Sequence, residues 1–202
     1  MGTRNLTMVV IDGEYKVAQY GQWDGYPEGQ GKTCLNFLHK LMENSMLDEF
    51  AGKVRKLREY TKEDIESINK RIDSGEIDNW QKKYPALTRD TGAEILDFIL
   101  DSPDGEKVYI DLNFAADSLF CEWAWLIDLD KKTFEAYRGF NHKPLTEEDR
   151  FYFLVNNEAD SRDYLSGEPY HAIVKIAEWD LENLPTEEEF LNANAFNEDE
   201  ED

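Results

Sequence analysis

The sequence predicts an α+β fold: a mainly antiparallel sheet that starts with an N-terminal β-hairpin, with helices packed on it. Three observations carry this. Residues 4–11 (RNLTMVVI) and 14–20 (EYKVAQY) flank Asp12-Gly13, and Asp-Gly between two β-rich runs is a strong two-residue hairpin signal. Residues 33–101 then repeat apolar side chains at helical spacing, with polar residues at their starts. Finally, residues 107–113, 119–129 and 133–138 return to alternating or continuous apolar runs, the last two joined by Asp130-Lys131-Lys132 as a second hairpin.

A two-residue turn at Asp12-Gly13 pairs Val10 with Tyr15, Met8 with Val17 and Leu6 with Gln19. On that register one face carries Leu6, Met8, Val10, Tyr15 and Val17, and the other Val9, Ile11, Ala18 and Tyr20. Neither face is polar, so the hairpin should be covered on both sides. Residues 21–32 (GQWDGYPEGQGK) hold four glycines and a proline and read as a shaped loop. Thr33 is placed to cap a helix over 34–44, Ser45 a second carrying Leu47, Phe50, Val54 and Leu57, and Thr61 a third carrying Ile65, Ile68 and Ile72. A short helix over 76–83 and another over 91–101 complete this block. In the second half, Trp123, Trp125, Ile127 and Leu129 share one face of a strand, with Glu122 and Asp128 on the other, which reads as core. The stretch 146–166 reads as a short helix after Thr146 followed by a loop, 170–179 as a last strand, and Thr186 as the start of one or two helical turns. A four-layer αββα arrangement is a variant of this architecture. Residues 1–195 form one acidic domain on this reading, and 196–202 a disordered acidic tail.

Charge narrows the partners. The 22 Lys and Arg against 44 Asp and Glu leave −22. Residues 1–60 hold eight of each sign, so the whole excess falls on 61–202. Such a field repels nucleic acid and anionic membrane and attracts basic protein surfaces. Direct nucleic-acid binding and membrane association are disfavoured; a host protein with a basic surface is the expected partner. Cys34 and Cys121 read as free buried thiols of a reducing compartment, and with no secretory pattern at the start the expected location is cytoplasmic.

Several motifs invite chemistry and fail on spacing. Gly31-Lys32-Thr33 suggests a phosphate loop, which needs glycine where Tyr26 stands; Gly25 is one place off. His39, His142 and His171 have no ligand spacing to each other or to a cysteine, so no metal site is expected, and no cofactor motif occurs. The acidic clusters lack the pattern of a calcium loop. The candidate ligand-binding residues are Gln19, Gln22, Trp23, Asp24, Tyr26, Lys32 and Thr33. Two large aromatics beside a carboxylate and carboxamides on a loop offer a stacking surface with hydrogen-bond groups. The alternative is that Trp23 and Tyr26 plug the edge of the core while Asp24 caps the turn.

The segments Arg4-Asn-Leu-Thr7, Asp12-Gly13, Val17 to Pro27 (VAQYGQWDGYP), Glu122 to Asp130 and Phe134 to Tyr137 resemble a family of uncharacterised proteins from bacteria, their phages and fungi. That resemblance covers about a third of the chain and implies no activity. The order of hairpin, polar glycine loop and helices is also similar to the start of N-terminal-nucleophile hydrolases, which expose Thr, Ser or Cys as residue one. Here Thr3 would become terminal only after processing beyond Met1. The function expected is an acidic interaction module, encoded by a phage or prophage and acting on a host protein such as a nucleic-acid-handling enzyme. A small-ligand binder or amidohydrolase using the Gln22–Thr33 loop is the alternative.

Overall fold

The computed structural model describes residues 2–157 and 161–194; the acidic-tail expectation for 196–202 lies outside them. β1 (Asn5–Ile11) and β2 (Glu14–Gly21) form the expected hairpin. Asp12 and Gly13 both take positive φ (55° and 75°), the twist that matches two right-handed strands. The next residues give α1 (Lys32–Glu43), α2 (Leu47–Arg55), β3 (Arg58–Glu59), α3 (Lys62–Asp73), α4 (Trp80–Lys83) and α5 (Ile95–Asp101). After the two-residue β4 (Lys107–Val108) come β5 (Trp123–Asp128), β6 (Thr133–Arg138), β7 (Val174–Asp180) and α6 (Glu187–Ala193).

One sheet organises these elements, in the order β2-β1-β5-β6-β7. β1 runs parallel to β5 and every other neighbour is antiparallel, so two hairpins are welded side by side. The long crossover between them carries α1 to α5. The helix-covered face packs Val9, Ile11, Val17, Trp125, Ile127 and Phe134 against Leu35, Leu38, Phe50, Leu96, Ile99 and Phe190. The opposite face, with Leu6, Met8, Val10, Ala18, Leu126 and Tyr137, is covered by short turns and coil through Ala115, Leu145, Phe151, Leu154 and Ile173. The layers are thus helix, sheet and a coil-and-turn cover, rather than two stacked sheets between helices. All seven residues of β1 are buried, as a strand covered on both faces must be.

Details differ from the sequence reading. Val10 pairs with Tyr15 as expected, but a β-bulge follows: Val9 faces Val17, Met8 faces Ala18, and Thr7 faces Gln19. The extra residue, Lys16, exchanges the faces of everything beyond it, so Val17 joins the helix side and Ala18 the coil side. Thr33 does not cap α1. It lies inside the helix with its hydroxyl donating to Gly29 O, because the chain enters through a wide turn closed by Gly31 N to Tyr26 O. Ser45 takes φ 56° in the connection and does not cap α2. Thr61 does cap α3, reciprocally with Asp64, and Thr186 caps α6 with Glu189. The strand expected over 107–113 shrinks to β4 plus a single bridge between Ile110 and Ala18, since residues 112–116 wind into a tight turn.

Candidate functional site

Twelve- and nine-residue helices α1 and α2 insert apolar stripes into the helix-side core, whereas α3 does not. Ile65, Ile68 and Ile72 fall on one face of α3 by their spacing, yet belong to neither core. That face instead walls a cavity of about 490 Å³ along the free edge of β2. The other walls are Gln19 and Tyr20 of β2, Trp80, the stretch from Ala86 to Arg89, Tyr109 and Asp111.

Two backbone contacts hold the cavity open at its ends. Asp111 N donates to Ala18 O (2.9 Å) and Gln22 N to Arg89 O (2.8 Å), so segments 109–111 and 85–89 each pair with the edge of β2 and leave Tyr20 between them. The Gln19 side chain completes the edge. Its Nε2 donates to Tyr20 O (3.0 Å) and Thr88 O (3.1 Å), stapling 85–89 to the strand. Both amide hydrogens are thereby used, which fixes the orientation of the carboxamide. Gln19 is 4% exposed, and its Oε1 is buried without a donor. Such an acceptor costs about 1–3 kcal/mol while unpaired. Asp111, half-buried, makes no side-chain hydrogen bond or ion pair, and burial pushes its carboxyl above the usual carboxylate range. The Tyr20 hydroxyl, raised by burial, donates to Gln22 Oε1 at 2.7 Å.

Of the sequence candidates, Gln19 lines this cavity, and the others lie outside its lining. Gln22 bridges the Tyr20 hydroxyl and the Arg89 carbonyl at the rim. Trp23 and Tyr26 neither fill the core nor line this cavity: they are 44% and 52% exposed, and Trp23 Nε1 donates to Asp90 Oδ1 at 2.9 Å. Asp24 sits at φ 54° and its carbonyl accepts from Gln30 N. Lys32 pairs with Glu187 at 2.5 Å, and Thr33 is turned back to Gly29. The loop's glycines have a packing role. Gly25 O accepts from Trp125 Nε1 (3.1 Å), and a Cβ on Gly31 would lie 2.6 Å from the same indole. Thr3, required by a nucleophile reading, is 5% exposed.

A second polar constellation lies on the coil side of the sheet. Arg150 Nη2 reaches Asp128 Oδ2 and Glu135 Oε1, both at 2.6 Å, and the Tyr137 hydroxyl donates to Glu135 Oε2. Asp128 and Glu135 are 2% and 0% exposed. Desolvation and the neighbouring Glu135 hold the Tyr137 hydroxyl far above the tyrosine range, while Asp128 and Glu135 hold the Arg150 guanidinium charged against its own desolvation. Thr133 Oγ1 and the amides of Asp130 and Lys131 occupy further carboxylate lone pairs. A network with its acceptors filled is a clamp rather than a reactive group. Sequence reasoning put Asp128 opposite the Trp face but found no partner, because Arg150 stands in a stretch without periodic pattern.

The buried thiols of Cys34 and Cys121 are free, and burial raises both, Cys34 to about 12. His39 and His142 are engaged with the carbonyls of Pro185 and Pro169 at 3.0 Å. Among the described residues no cluster of three metal-ligating side chains forms, and no helix is long and apolar enough to cross a membrane. No family model, curated protein or solved structure matches this chain.

Proposed function

We propose that the protein is a small-ligand-binding protein whose site is the cavity between β2 and α3. The observation that carries this reading is an amphipathic helix with its apolar face turned to an open cavity instead of a core, in a lining that also holds the unpartnered carboxylate of Asp111. Mostly apolar walls with a few convergent polar groups are what small-molecule sites are made of. Ligand-observed NMR of a fragment collection against the wild type and the cavity-filling variant Ile65→Trp tests it. Hits that disappear in the variant support the reading, and hits of equal strength in both chains sink it.

A second reading is favoured by charge. The balanced first 60 residues and the −22 carried by the rest suit an acidic interaction module, encoded by a phage or prophage, that occupies a basic groove on a host protein. Glu147, Glu148 and Glu188 are exposed members of that surface. Capture from host lysate should fall when these three are changed to Gln and fall again with added salt. Capture indifferent to both argues against it.

A further inference from the structure

We infer that the cavity beside Gln19 takes a primary amine in its ammonium form, carried on an aromatic or branched apolar frame. This rests on the ligand-binding reading above and adds the chemistry of the ligand.

The apolar frame follows from the walls. Ile65, Ile68 and Ile72 line one side, Leu87 and Trp80 the others, and about 490 Å³ accommodates a molecule the size of an indole with a short side chain. The ammonium follows from the balance of donors and acceptors. Gln19 has spent both N–H groups on Tyr20 O and Thr88 O, and Tyr20 has spent its hydroxyl hydrogen on Gln22. What remains to a ligand is an acceptor, the Asp111 carboxylate, which lines the cavity half-buried with no hydrogen bond or ion pair. An N–H-rich cation is the group that satisfies a partly desolvated carboxylate. The rings of Trp80 and Tyr109 add faces that attract a cation, and the −22 body raises the local concentration of cations over anions.

The cationic member of the lining is Arg89, which is exposed at the rim and forms no ion pair with Asp111. It defines the competing chemistry: were Arg89 the recognition group, a carboxylate ligand would bind best.

Calorimetric titration of the full chain with tryptamine, tryptophol and indole-3-propionate separates these. The three share the ring and differ in carrying an ammonium, a hydroxyl or a carboxylate. The expected order is tryptamine at least tenfold tighter than tryptophol, with no heat from the acid. Asp111→Asn, which removes charge from a side chain without partners and so leaves the fold intact, should bring tryptamine to the level of tryptophol. Tryptophol or indole-3-propionate binding as tightly as tryptamine overturns the amine assignment while leaving the cavity a ligand site. Tryptamine affinity unchanged in Asp111→Asn overturns it also, as does binding of none of the three. The cavity reading itself stands or falls separately on whether fragments are lost in Ile65→Trp.

Discussion

The two faces of the sheet are covered by different materials, and they are held in different ways. On one side α1, α2, α5 and α6 bring apolar stripes, and aromatic contacts finish the packing: Phe190 lies 5.5 Å from Trp125 and 5.1 Å from Trp179, centroid to centroid. Among the described residues the buried charged side chains, Asp128 and Glu135, belong to the other side. On the other side the cover is coil and short turns, which bring fewer apolar side chains per residue. There the chain from Thr146 to Asn157 is tied down by Arg150 between two buried carboxylates. Helices satisfy their own backbone and can offer a purely apolar face; coil cannot, and needs a polar anchor whose directionality places it.

Breaking each anchor should show the contrast. Phe190→Ala on the helix side removes a fully buried ring from an aromatic cluster and should cost about 3–5 kcal/mol in urea unfolding. Arg150→Met on the coil side should cost a similar ~3–5 kcal/mol, because Asp128 and Glu135 stay buried without their cation. The two differ in their rescue. Replacing Asp128 and Glu135 by apolar residues in the Arg150→Met background should recover most of the loss, since a buried ion network and a well-packed apolar cluster are close in free energy. No recovery would mean that the clamp specifies the fold rather than merely balancing charge.

A smaller effect tests how closely the helix side is packed. Gly31→Ala places a methyl 2.6 Å from the Trp125 ring and should cost about 1–3 kcal/mol, whereas Gly52→Ala, inside α2 where a Cβ meets nothing within 4 Å, should stabilise by about 0.5–1 kcal/mol. Equal effects at the two sites would remove the close approach as the reason for Gly31.

The smallest effect concerns Asp111, a carboxylate with no clamp. Arg89, Tyr20 and Tyr109 line the same cavity. Burial lifts its carboxyl, so the folded state holds the proton to higher pH than the unfolded chain. Its contribution is present below the ordinary carboxylate range and is lost as pH rises through the raised folded value. Asp111→Asn should therefore raise the melting temperature slightly at pH 7, and the gap should close toward pH 3. Parallel melting curves at all pH values would show that Asp111 is solvated as an ordinary surface group.

Much of the fold was legible in residue order. Asp12-Gly13, the alternation of Trp123, Trp125 and Ile127, and the caps Thr61 and Thr186 each act within a few residues, where backbone preference and side-chain period decide the outcome. Those elements appeared where they were expected. The site was legible only at Gln19, an amide on an apolar strand in need of partners. Its partners, Thr88 O and the wall of α3, are about seventy and fifty residues away and carry no local mark.

The glycine and aromatic loop reads as a binding surface because binding loops and close-packed turns use the same residues; Trp125, a hundred positions on, gives Gly25 and Gly31 a packing role. The bulge at Lys16, the Arg150 clamp and the cavity edge all belong to the tertiary structure for one reason. Each depends on a balance between groups distant in the chain, whether cross-strand register, buried charge or unpaired acceptors, and such balances exist only once the sheet has brought those groups together.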